Sequence, residues 1–404
     1  MNIWTDCEKV ALPSLLSFIV DNRGKTVPTS ETGHILIATN CIKNDRLFPV
    51  YEKVRFLSQE TYETFFRAHP IPGDIIFVNK GTPGRCALVP DPVDFCIAQD
   101  MMAFRVDSTK VNNIYLLAVL RSYEIQRLIY SISVGDVIPH FKKQMLDKIQ
   151  IPLPPLEIQN KIASYFSDFN YKIENNRKIC ENLESQALAL FRNWFVDFAP
   201  FKENKFIESE MGFIPEGWCV KSLTDIAEFQ NGLAMQKFPP QSEDDAIPVL
   251  KIKELGQSYC DENSDRCTKN VKPEFIIHDG DVVFSWSGTL MVDLWCGGIC
   301  GLNQHLFKVS SSQYPKWFYL MWTKYHLTEF IRIAKDKAVT MGHIKRGDLD
   351  KASVLIPDDS TFEIMTSLMN DIIDKIISLR MESNRLSSLR DTLLPKLMTG
   401  QIKL

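Results

Sequence analysis

Two polar turns in matching positions are the places where side chains of this chain could contact a nucleic acid. In the first turn, NKGTPGR, the residues Gly81, Pro83 and Gly84 keep the backbone tight, so we expect the side chains around them to project. Arg and Lys can bond guanine in the major groove, and Asn can pair with adenine. A solvated turn is the alternative interpretation. The candidate contacts are Asn79, Lys80, Thr82 and Arg85 in the first turn, and Ser285, Trp286, Ser287 and Thr289 in its counterpart.

A second pair of segments has a histidine followed, two and three residues later, by cations, ahead of an Ile-Pro or Leu-Pro step. This pattern suits contact with DNA phosphates, and a structural strand edge is the alternative. The candidates are His140, Lys142 and Lys143, with His343, Lys345 and Arg346 as their counterparts. A third candidate is Gln304, with Asn303 and His305 in GLNQHLFKV, although the matched AQDMMAFRV of the first copy is less polar.

The sequence offers no motif for methyl transfer, nuclease or ATPase chemistry. Gly24 to Thr26 reads GKT, but position 19 is Ile where a phosphate loop needs Gly. The Pro-Pro pairs read LPPL and FPPQ, without the Asn or Asp that amino-methyltransferases of DNA carry before them. Before Ser287, a nucleophile elbow would need Gly where Ser285 stands. Zinc is disfavoured because no common finger has the spacings of Cys260, Cys267, Cys296 and Cys300, so buried or incidental thiols are favoured. We therefore expect no catalytic residue and no metal in this chain.

The polar turns belong to two copies of one longer unit. PGDIIFVNKGTP from Pro72 matches DGDVVFSWSGTL from Asp279, and His140 matches His343 at a shift of 203 residues. Strands such as DIIFV and DVVFS, with helical stretches such as YLLAVLRSYEIQRLIYSI and WFYLMWTKYHLTEFIRIA, predict an α/β or α+β fold of about 150 residues per copy. The inserts from Gly33 to Pro70 and from Phe238 to Pro273 share little, which suggests one scaffold with two different recognition surfaces.

A long helix is predicted after each copy, with apolar residues at the alternating steps of a left-handed coiled coil. We expect the two helices to pack on each other, with one polar residue in each seam setting the register, whereas two unrelated core helices are the alternative. The first seam comprises Ile162, Phe166, Phe169, Ile173, Asn176, Cys180, Leu183, Ala187, Leu190 and Trp194, and the second comprises Phe362, Met365, Met369, Ile372, Ile376, Leu379, Ser383, Leu386, Arg390, Leu393 and Leu397.

The C-terminal ends of both helices are rich in apolar residues. We interpret them as a candidate face for a partner protein, and packing where the helices meet is the alternative. The residues are Phe191, Trp194 and Phe195 in the first helix, and Leu393, Leu394, Leu397 and Met398 in the second.

Composition describes an ordinary soluble chain. Its 404 residues suggest two or three domains, and 45% hydrophobic residues allow sizeable cores. The formal net charge of −4 gives no global basic signature, so DNA binding must come from local patches or be shared with a basic partner. No apolar run approaches the ~20 residues of a membrane span. Scattered cysteines and an N-terminus without a signal peptide indicate a cytoplasmic protein.

Over nearly its whole length the chain resembles the DNA-specificity subunit of type I restriction-modification enzymes. The most specific segments are IPLPPLEIQNKIASYF, ALFRNWFVDFAPF, GFIPEGWCVKSLTDIAEFQNG and LLPKLMTGQI. The resemblance implies two target-recognition domains that each read half of a split DNA site, and two helices that pair antiparallel as a spacer and dock the methyltransferase subunits. It also implies that partner subunits, and not this chain, use S-adenosylmethionine, ATP and magnesium. The first copy retains Trp4 but lacks the GFIPEG lead-in, so its first strand is where the chain departs from the family.

We therefore expect an α/β (α+β) chain of two similar target-recognition domains, separated by two long helices that form an antiparallel coiled coil. The predicted domains are 1–154, the central helix 155–200, the second domain 201–357 and the C-terminal helix 358–404. The expected function is a non-catalytic specificity subunit that binds double-stranded DNA, methyltransferase (modification) subunits and, where present, restriction or translocase subunits, with no membrane. A protein-binding scaffold and an enzyme with an unrecognised site are the alternatives.

Overall fold

The computed structural model describes residues 2–22, 26–135, 138–336 and 342–402, and the chain divides into two compact units. The first unit comprises Met1–Asn175 with Leu386–Leu404, and the second comprises Asn176–Arg385. Two long helices therefore contribute residues to both units. Because this division does not set the helices apart, the four predicted domain boundaries stay a prediction. Among the helices of the described ranges, none combines the length and the hydropathy of a membrane span.

The described part of the first unit contains nine strands: β1 (Lys9–Ala11), β2 (Leu16–Val20), β3 (His34–Ile37), β4 (Arg55–Leu57), β5 (Ile75–Val78), β6 (Cys86–Leu88), β7 (Phe95–Ile97), β8 (Met101–Val106) and β9 (Gln150–Pro152). They form a four-stranded sheet in the order β2-β8-β5-β6, a three-stranded sheet in the order β4-β3-β7, and the pair β1-β9. β3 and β7 are parallel, and the other paired strands are antiparallel.

Helices cover the four-stranded sheet of the first unit, where Phe77, Phe104 and Tyr115 are fully buried. The predicted helical stretch YLLAVLRSYEIQRLIYSI forms two helices, because Ser122 interrupts it and caps the second one through the backbone N–H of Ile125. The α-helices are Ile3–Asp6, Gln59–Thr64, Asn113–Leu120 and Tyr123–Ile132, and the 3-10 turns are Leu12–Leu15, Thr39–Cys41 and Lys143–Lys148.

The described part of the second unit contains β10 (Phe206–Ser209), β11 (Gly212–Pro215), β12 (Cys219–Ser222), β13 (Glu228–Asn231), β14 (Ala246–Leu250), β15 (Arg266–Thr268), β16 (Ile276–Ile277), β17 (Val282–Ser285), β18 (Met291–Leu294), β19 (Cys300–Leu302), β20 (Leu306–Ser310) and β21 (Ser353–Ile356). Its sheets have the orders β13-β20-β17-β18, β15-β14-β19-β16, β12-β21 and β10-β11. Its α-helices are Leu223–Ile226, Ile252–Gln257, Lys316–Asp336 and Arg346–Asp350, and its 3-10 turns are Ala199–Phe201, Met235–Lys237, Glu243–Asp245 and Pro273–Phe275.

The two units share one topology. β2, β8, β5 and β6 correspond to β13, β20, β17 and β18, and the pair β1-β9 corresponds to β12-β21. The divergent inserts also share their strand pairing, because β3 is antiparallel to β4 and parallel to β7, as β14 is to β15 and β19. The GFIPEG lead-in supplies β11 of the hairpin β10-β11, which precedes the framework, so β1 forms without it. The predicted duplicated scaffold is confirmed, and the inserts keep this strand pairing although their sequences share little.

The central helix, Leu156–Phe195, and the C-terminal helix, Asp359–Met398, are each 40 residues long, which is roughly 60 Å. In the second unit the Nδ2 of Asn176 donates to Glu382 Oε2 at 2.7 Å and to Ser383 Oγ at 3.4 Å, and Arg380 bonds Glu184 at 2.6 Å. Residue numbers rise along one helix as they fall along the other, so the helices are antiparallel. The predicted coiled coil and the facing of Asn176 and Ser383 are confirmed.

All predicted seam positions are buried or half-buried. In the second unit, the buried seam residues include the polar Asn176 and the apolar Ile376. In the first unit, Arg390 is buried and donates to Asn170 Oδ1 at 2.8 Å, and its charge is compensated by Asp391, whose Oδ1 lies 2.8 Å from Arg390 Nε. The half-buried seam positions are Phe169, Leu183, Leu190, Phe362, Ser383, Leu386 and Leu393.

The apolar helix ends are largely buried, so the interpretation as an exposed partner face is wrong for Phe191, Trp194, Phe195, Leu397 and Met398. Phe191, Trp194 and Phe195 are at most 8% exposed, and the Phe195 ring lies 5.5 Å from that of Trp218 and 5.3 Å from that of Trp322. These rings fill the core of the second unit, where burying aromatic area stabilises the fold. In the first unit, Leu397 and Met398 are buried, and Leu393 and Leu394 are half-buried.

Candidate nucleic-acid interface

The first polar turn follows β5 and is closed by backbone hydrogen bonds. The N–H of Val78 donates to the carbonyl of Arg85 at 2.8 Å, and Gly81 has φ +83°, a left-handed conformation that favours glycine. Lys80 is exposed, and Thr82 and Arg85 are half-buried. Asn79 is only 1% exposed, so the expectation that its side chain projects is wrong. Its backbone is hydrogen-bonded on both sides, to the Asp100 carbonyl at 3.0 Å and to the Phe141 N–H at 2.7 Å.

The counterpart turn in the second unit follows β17 and is held partly by a buried serine. Ser285 is fully buried, and its Oγ donates to the carbonyl of Thr289 at 2.8 Å. Ser287 is also buried, at 8% exposure, so two of the four predicted side chains do not project. Trp286 is half-buried and Thr289 is exposed. Gly288 has φ +65° and repeats the left-handed conformation of Gly81.

The structure brings the polar turn and the histidine segment together in each unit, although they are far apart in sequence. In the first unit, Lys80 and His140 form an isolated antiparallel bridge, and Gly81 donates its N–H to the Pro139 carbonyl at 2.9 Å. In the second unit, Ser287 and His343 form the same bridge. The N–H of Ile344 donates there to the Trp286 carbonyl at 3.0 Å, as that of Phe141 does to Asn79.

Exposed cations follow the bridged histidine in both units. Lys142 and Lys143 are exposed beside the 3-10 turn Lys143–Lys148, and Lys143 Nζ lies 3.4 Å from Asp21 Oδ2. Lys345 and Arg346 are exposed at the start of the helix Arg346–Asp350. Within the described ranges, Arg85, Lys142, Lys345 and Arg346 make no ion pair. Cations without a protein partner are suited to phosphate contact, and this role stays a prediction.

The third candidate has a more polar counterpart than the sequence match indicates. Phe284 pairs with Phe307 in the second unit, whereas the matched Phe77 pairs with Met102 in the first. The structural match is therefore shifted by two residues from that of AQDMMAFRV with GLNQHLFKV. Gln304 and His305, which precede β20, correspond to Gln99 and Asp100, which precede β8. The expectation of a less polar counterpart is wrong, because two polar residues precede the strand in both units.

These residues contact the turns in each unit. Ser287 Oγ lies 3.1 Å from His305 Nδ1, and at the equivalent positions Lys80 Nζ lies 4.0 Å from Asp100 Oδ1. The indole N–H of Trp286 donates to Asn231 Oδ1 at 3.1 Å, and the Trp286 ring lies 6.1 Å from the His305 ring. Sequence reasoning missed Asp100 and Asn231, because no motif marks either residue and strand register alone brings them to the turns.

The cysteines singled out in the sequence form no metal cluster in the described ranges, where no group of three His, Cys, Asp or Glu side chains could hold an ion. Cys260 Sγ lies 3.5 Å from Cys300 Sγ. Burial raises the pKa of Cys267 and that of Cys296 to about 11, so both stay protonated at neutral pH. The GKT sequence at Gly24 to Thr26 lies almost entirely outside the described residues.

Comparison with known proteins identifies the family of the chain. The family model of the type I restriction modification DNA specificity domain matches residues 26–185 and 215–386, which is most of the chain. The chain belongs to this family. Two copies of the domain agree with the two units of shared topology, and the resemblance to this family predicted from the sequence is confirmed.

Relatives within the family are similar over most of their length. The type I restriction enzyme MjaIX specificity subunit of Methanocaldococcus jannaschii is 28% identical over 344 residues, which cover 82% of this chain and 78% of that protein. The HindI specificity subunit of Haemophilus influenzae is 21% identical over 398 residues, covering 82% and 86%. The crystal structure of the S subunit from the M. genitalium type I restriction-modification system matches with a TM-score of 0.55 at 14% identity, covering 97% and 96%, and it has the same fold.

Proposed function

We propose that this chain is the non-catalytic specificity subunit of a type I restriction-modification complex, in which each unit reads one half of a split double-stranded DNA site. The observation that carries the proposal is the repeated bridge between two loops, Lys80 with His140 and Ser287 with His343, on one shared topology. The same scaffold presents a cationic turn in one unit and an aromatic, uncharged turn in the other. Two readers with different side chains would read two different half-sites.

Exposed cations supply the second element of the proposal. Lys142 in the first unit, and Lys345 with Arg346 in the second, lie next to the bridged loops and are exposed. Phosphate contacts fix the register of a protein on DNA, while base contacts specify the sequence. We infer that these cations hold the backbone while the turns read base edges. With a net charge of −4, the chain alone has few such contacts, so partner subunits would supply much of the affinity.

The long helices would act as spacer and dock. Half-sites on one face of a duplex are ~34 Å apart per turn, and a helix of 40 residues is long enough to span that distance. Exposed apolar residues on the C-terminal helix, Ile364 at 73% and Leu368 at 46%, are one turn apart and would suit contact with methyltransferase subunits. A map of methylated sites in which the recognised bases are contiguous would contradict the spacer role.

The chemistry would belong to the partners. The sequence carries no motif for methyl transfer, nuclease or ATPase activity, so we infer that S-adenosylmethionine, ATP and magnesium act in the methyltransferase and restriction subunits. Relatives carry the name specificity subunit, which supports a recognition role. Methylation of DNA by the purified chain alone, with S-adenosylmethionine supplied, would contradict this assignment.

A gel-shift titration tests the proposal directly. The chain, alone and with its methyltransferase subunits, is titrated with random duplexes and with DNA from its own genome at several salt concentrations. We expect weak binding by the chain alone and tight, sequence-selective binding by the complex, with affinity falling as salt rises. Binding that ignores both salt and sequence would instead favour a protein-binding scaffold.

A further inference from the structure

We propose that Asp100 and His305, which occupy equivalent positions in the two units, are specificity-determining residues for opposite halves of the DNA site. This inference rests on the proposed function. The equivalence comes from strand register, since Asp100 immediately precedes β8 and His305 immediately precedes β20, and these strands pair identically with β5 and β17. In both units the residue's backbone carbonyl accepts the N–H that follows the paired strand, Asn79 at 3.0 Å and Trp286 at 3.4 Å.

Both side chains meet the turn residue that bridges to the histidine loop. Asp100 lies 4.0 Å from Lys80, and His305 lies 3.1 Å from Ser287, and Lys80 and Ser287 are themselves equivalent. The same pair of positions therefore makes a side-chain contact in each unit with different chemistry. A scaffold contact of purely structural purpose would not require the charge to change from one copy to the other. A contact that presents base-reading groups would require different chemistry in the two copies, because the two half-sites differ.

The exposure of the first pair favours a role beyond support. The side chains of Lys80 and Asp100 are 47% and 37% exposed, and an ion pair this open and this long contributes little to stability. It does place a cationic donor beside an anionic acceptor on the outer side of the turn. In the major groove, Lys bonds the guanine acceptors and Asp accepts from the cytosine amino group. The pair is thus matched to a G·C base pair.

The second pair presents a hydroxyl and an imidazole in the same place. Ser287 is buried, so it holds the imidazole of His305 and does not itself reach outward. His305 is exposed, and its Nε2 lies 3.3 Å from the Nε2 of Gln304. Gln can bond adenine with two hydrogen bonds. His305 and Gln304 together therefore suit an A·T pair, and Ser287 is the positioning residue.

Substitutions in the full complex test the inference. The chain is co-expressed with its methyltransferase subunits, and the assembled complex is selected on DNA libraries randomised over both halves of its site. We expect Asp100→Asn to lose discrimination roughly 5- to 100-fold at one base pair of one half, and His305→Ala to do the same in the other half. Asp100→Glu, which keeps the acceptor, should restore most of the preference lost in Asp100→Asn.

Matched controls separate base reading from a structural effect. Asp107 follows the other end of β8, where it pairs with Lys110 at 3.1 Å, so Asp107→Asn removes a similar carboxylate. His278, whose side chain is 57% exposed, is the control histidine of the second unit. Neither Asp107→Asn nor His278→Ala should alter any base preference. A single substitution that reduces base discrimination in both halves would overturn the inference. Unchanged base preferences in both Asp100→Asn and His305→Ala, when the wild-type complex is selective, would overturn it as well. A wild-type complex without sequence preference would overturn the proposed function and the inference with it.

Discussion

Substitution of Arg380 by methionine should destabilise the second unit more than any exposed ion-pair substitution. Arg380 on the C-terminal helix bonds Glu184 of the central helix at 2.6 Å, and Asp293 and the Leu294 carbonyl of β18 at 3.0 Å each. Burial alone would lower the pKa of Arg380, but the Asp293 and Glu184 carboxylates outweigh it and raise that pKa, so the guanidinium stays charged. Its removal leaves two partly buried carboxylates facing each other.

The size of the effect follows from burial. Removing one partner of a fully buried pair costs about 3–5 kcal/mol, and of an exposed pair about 1 kcal/mol or less. Arg380, Glu184 and Asp293 are 21%, 33% and 25% exposed, and Lys324 at 4.0 Å still partly compensates Asp293. We therefore expect a loss of about 2–3 kcal/mol, which lowers the Tm of a unit of this size by roughly 5–10 °C.

Tryptophan fluorescence during thermal unfolding is a suitable assay, because Trp4 is the only tryptophan outside residues 176–385. The control is Arg332→Met, which removes a 65% exposed arginine from ion pairs with Glu329 and Asp336 in the same unit. Adding Glu184→Gln to Arg380→Met should recover about 1 kcal/mol, since the loss comes largely from unpaired charge. Equal destabilisation by Arg380→Met and Arg332→Met would refute the reasoning.

Three further substitutions probe the helices and their caps. Asn176→Leu should raise the free energy of unfolding in urea by about 1 kcal/mol, because the buried Oδ1 of Asn176 has no hydrogen-bond partner among the described residues. Asp358→Ala should cost about 1 kcal/mol at neutral pH by removing the cap on Thr361. Hydrogen bonds from Ser360 and Thr361 lower the pKa of Asp358 to about 2, so this contribution is complete above pH 4 and disappears as the pH falls towards 2. Phe195→Ala should cost about 3–5 kcal/mol, measured by chemical unfolding, because it empties a buried aromatic cluster.

Each of these substitutions has a control on the same chain. Asn175→Leu changes an exposed neighbour of Asn176 and should give no gain in stability. Asp358→Asn should keep the cap, since Asn caps helices as well as Asp, but lose its dependence on acid pH. Phe213→Ala changes a 68% exposed ring and should alter stability by less than about 0.5 kcal/mol. If the loss of stability in Asp358→Ala did not depend on pH, the explanation by an ionised cap would be contradicted. If Asn175→Leu stabilised the chain as much as Asn176→Leu, the explanation by the unpaired Oδ1 of Asn176 would be contradicted.

Sequence periodicity was sufficient to predict the long helices and the partner of Asn176. The steps of four and three reach across 40 residues, and one polar residue near the middle of each seam, Asn176 and Ser383, defines the pairing. Periodicity could not show that Phe191 and Phe195 lie in a globular core, because a heptad pattern identifies the buried side of a helix and not the element that covers it. Trp218 and Trp322, which cover these rings, lie in segments without a heptad pattern.

The candidate interface was only partly predictable for a similar reason. Matching the copies located both turns and both histidine segments, but strand pairing decides that they meet and that Asn79 and Ser285 face inward. The two-residue shift that makes Asp100 equivalent to His305 cannot be seen in the sequence. Aligning the Phe-x-Val segments of β8 and β20 gives a plausible match, but in the wrong register. Candidate contacts that lie between the matched motifs, such as Asp100, can therefore be identified only from the structure.

Mapping of methylated sites for a lengthened chain tests the central claim of two readers on a spacer most directly. One heptad is inserted into the central helix next to Asn176 and a matching heptad into the C-terminal helix next to Ser383, and the chain is expressed with its methyltransferase subunits. Each heptad adds about 10 Å, which corresponds to about three base pairs. We predict a two-part, asymmetric motif whose halves stay unchanged while the unread gap grows by about three base pairs. An unchanged gap, or altered bases in either half, would contradict the claim.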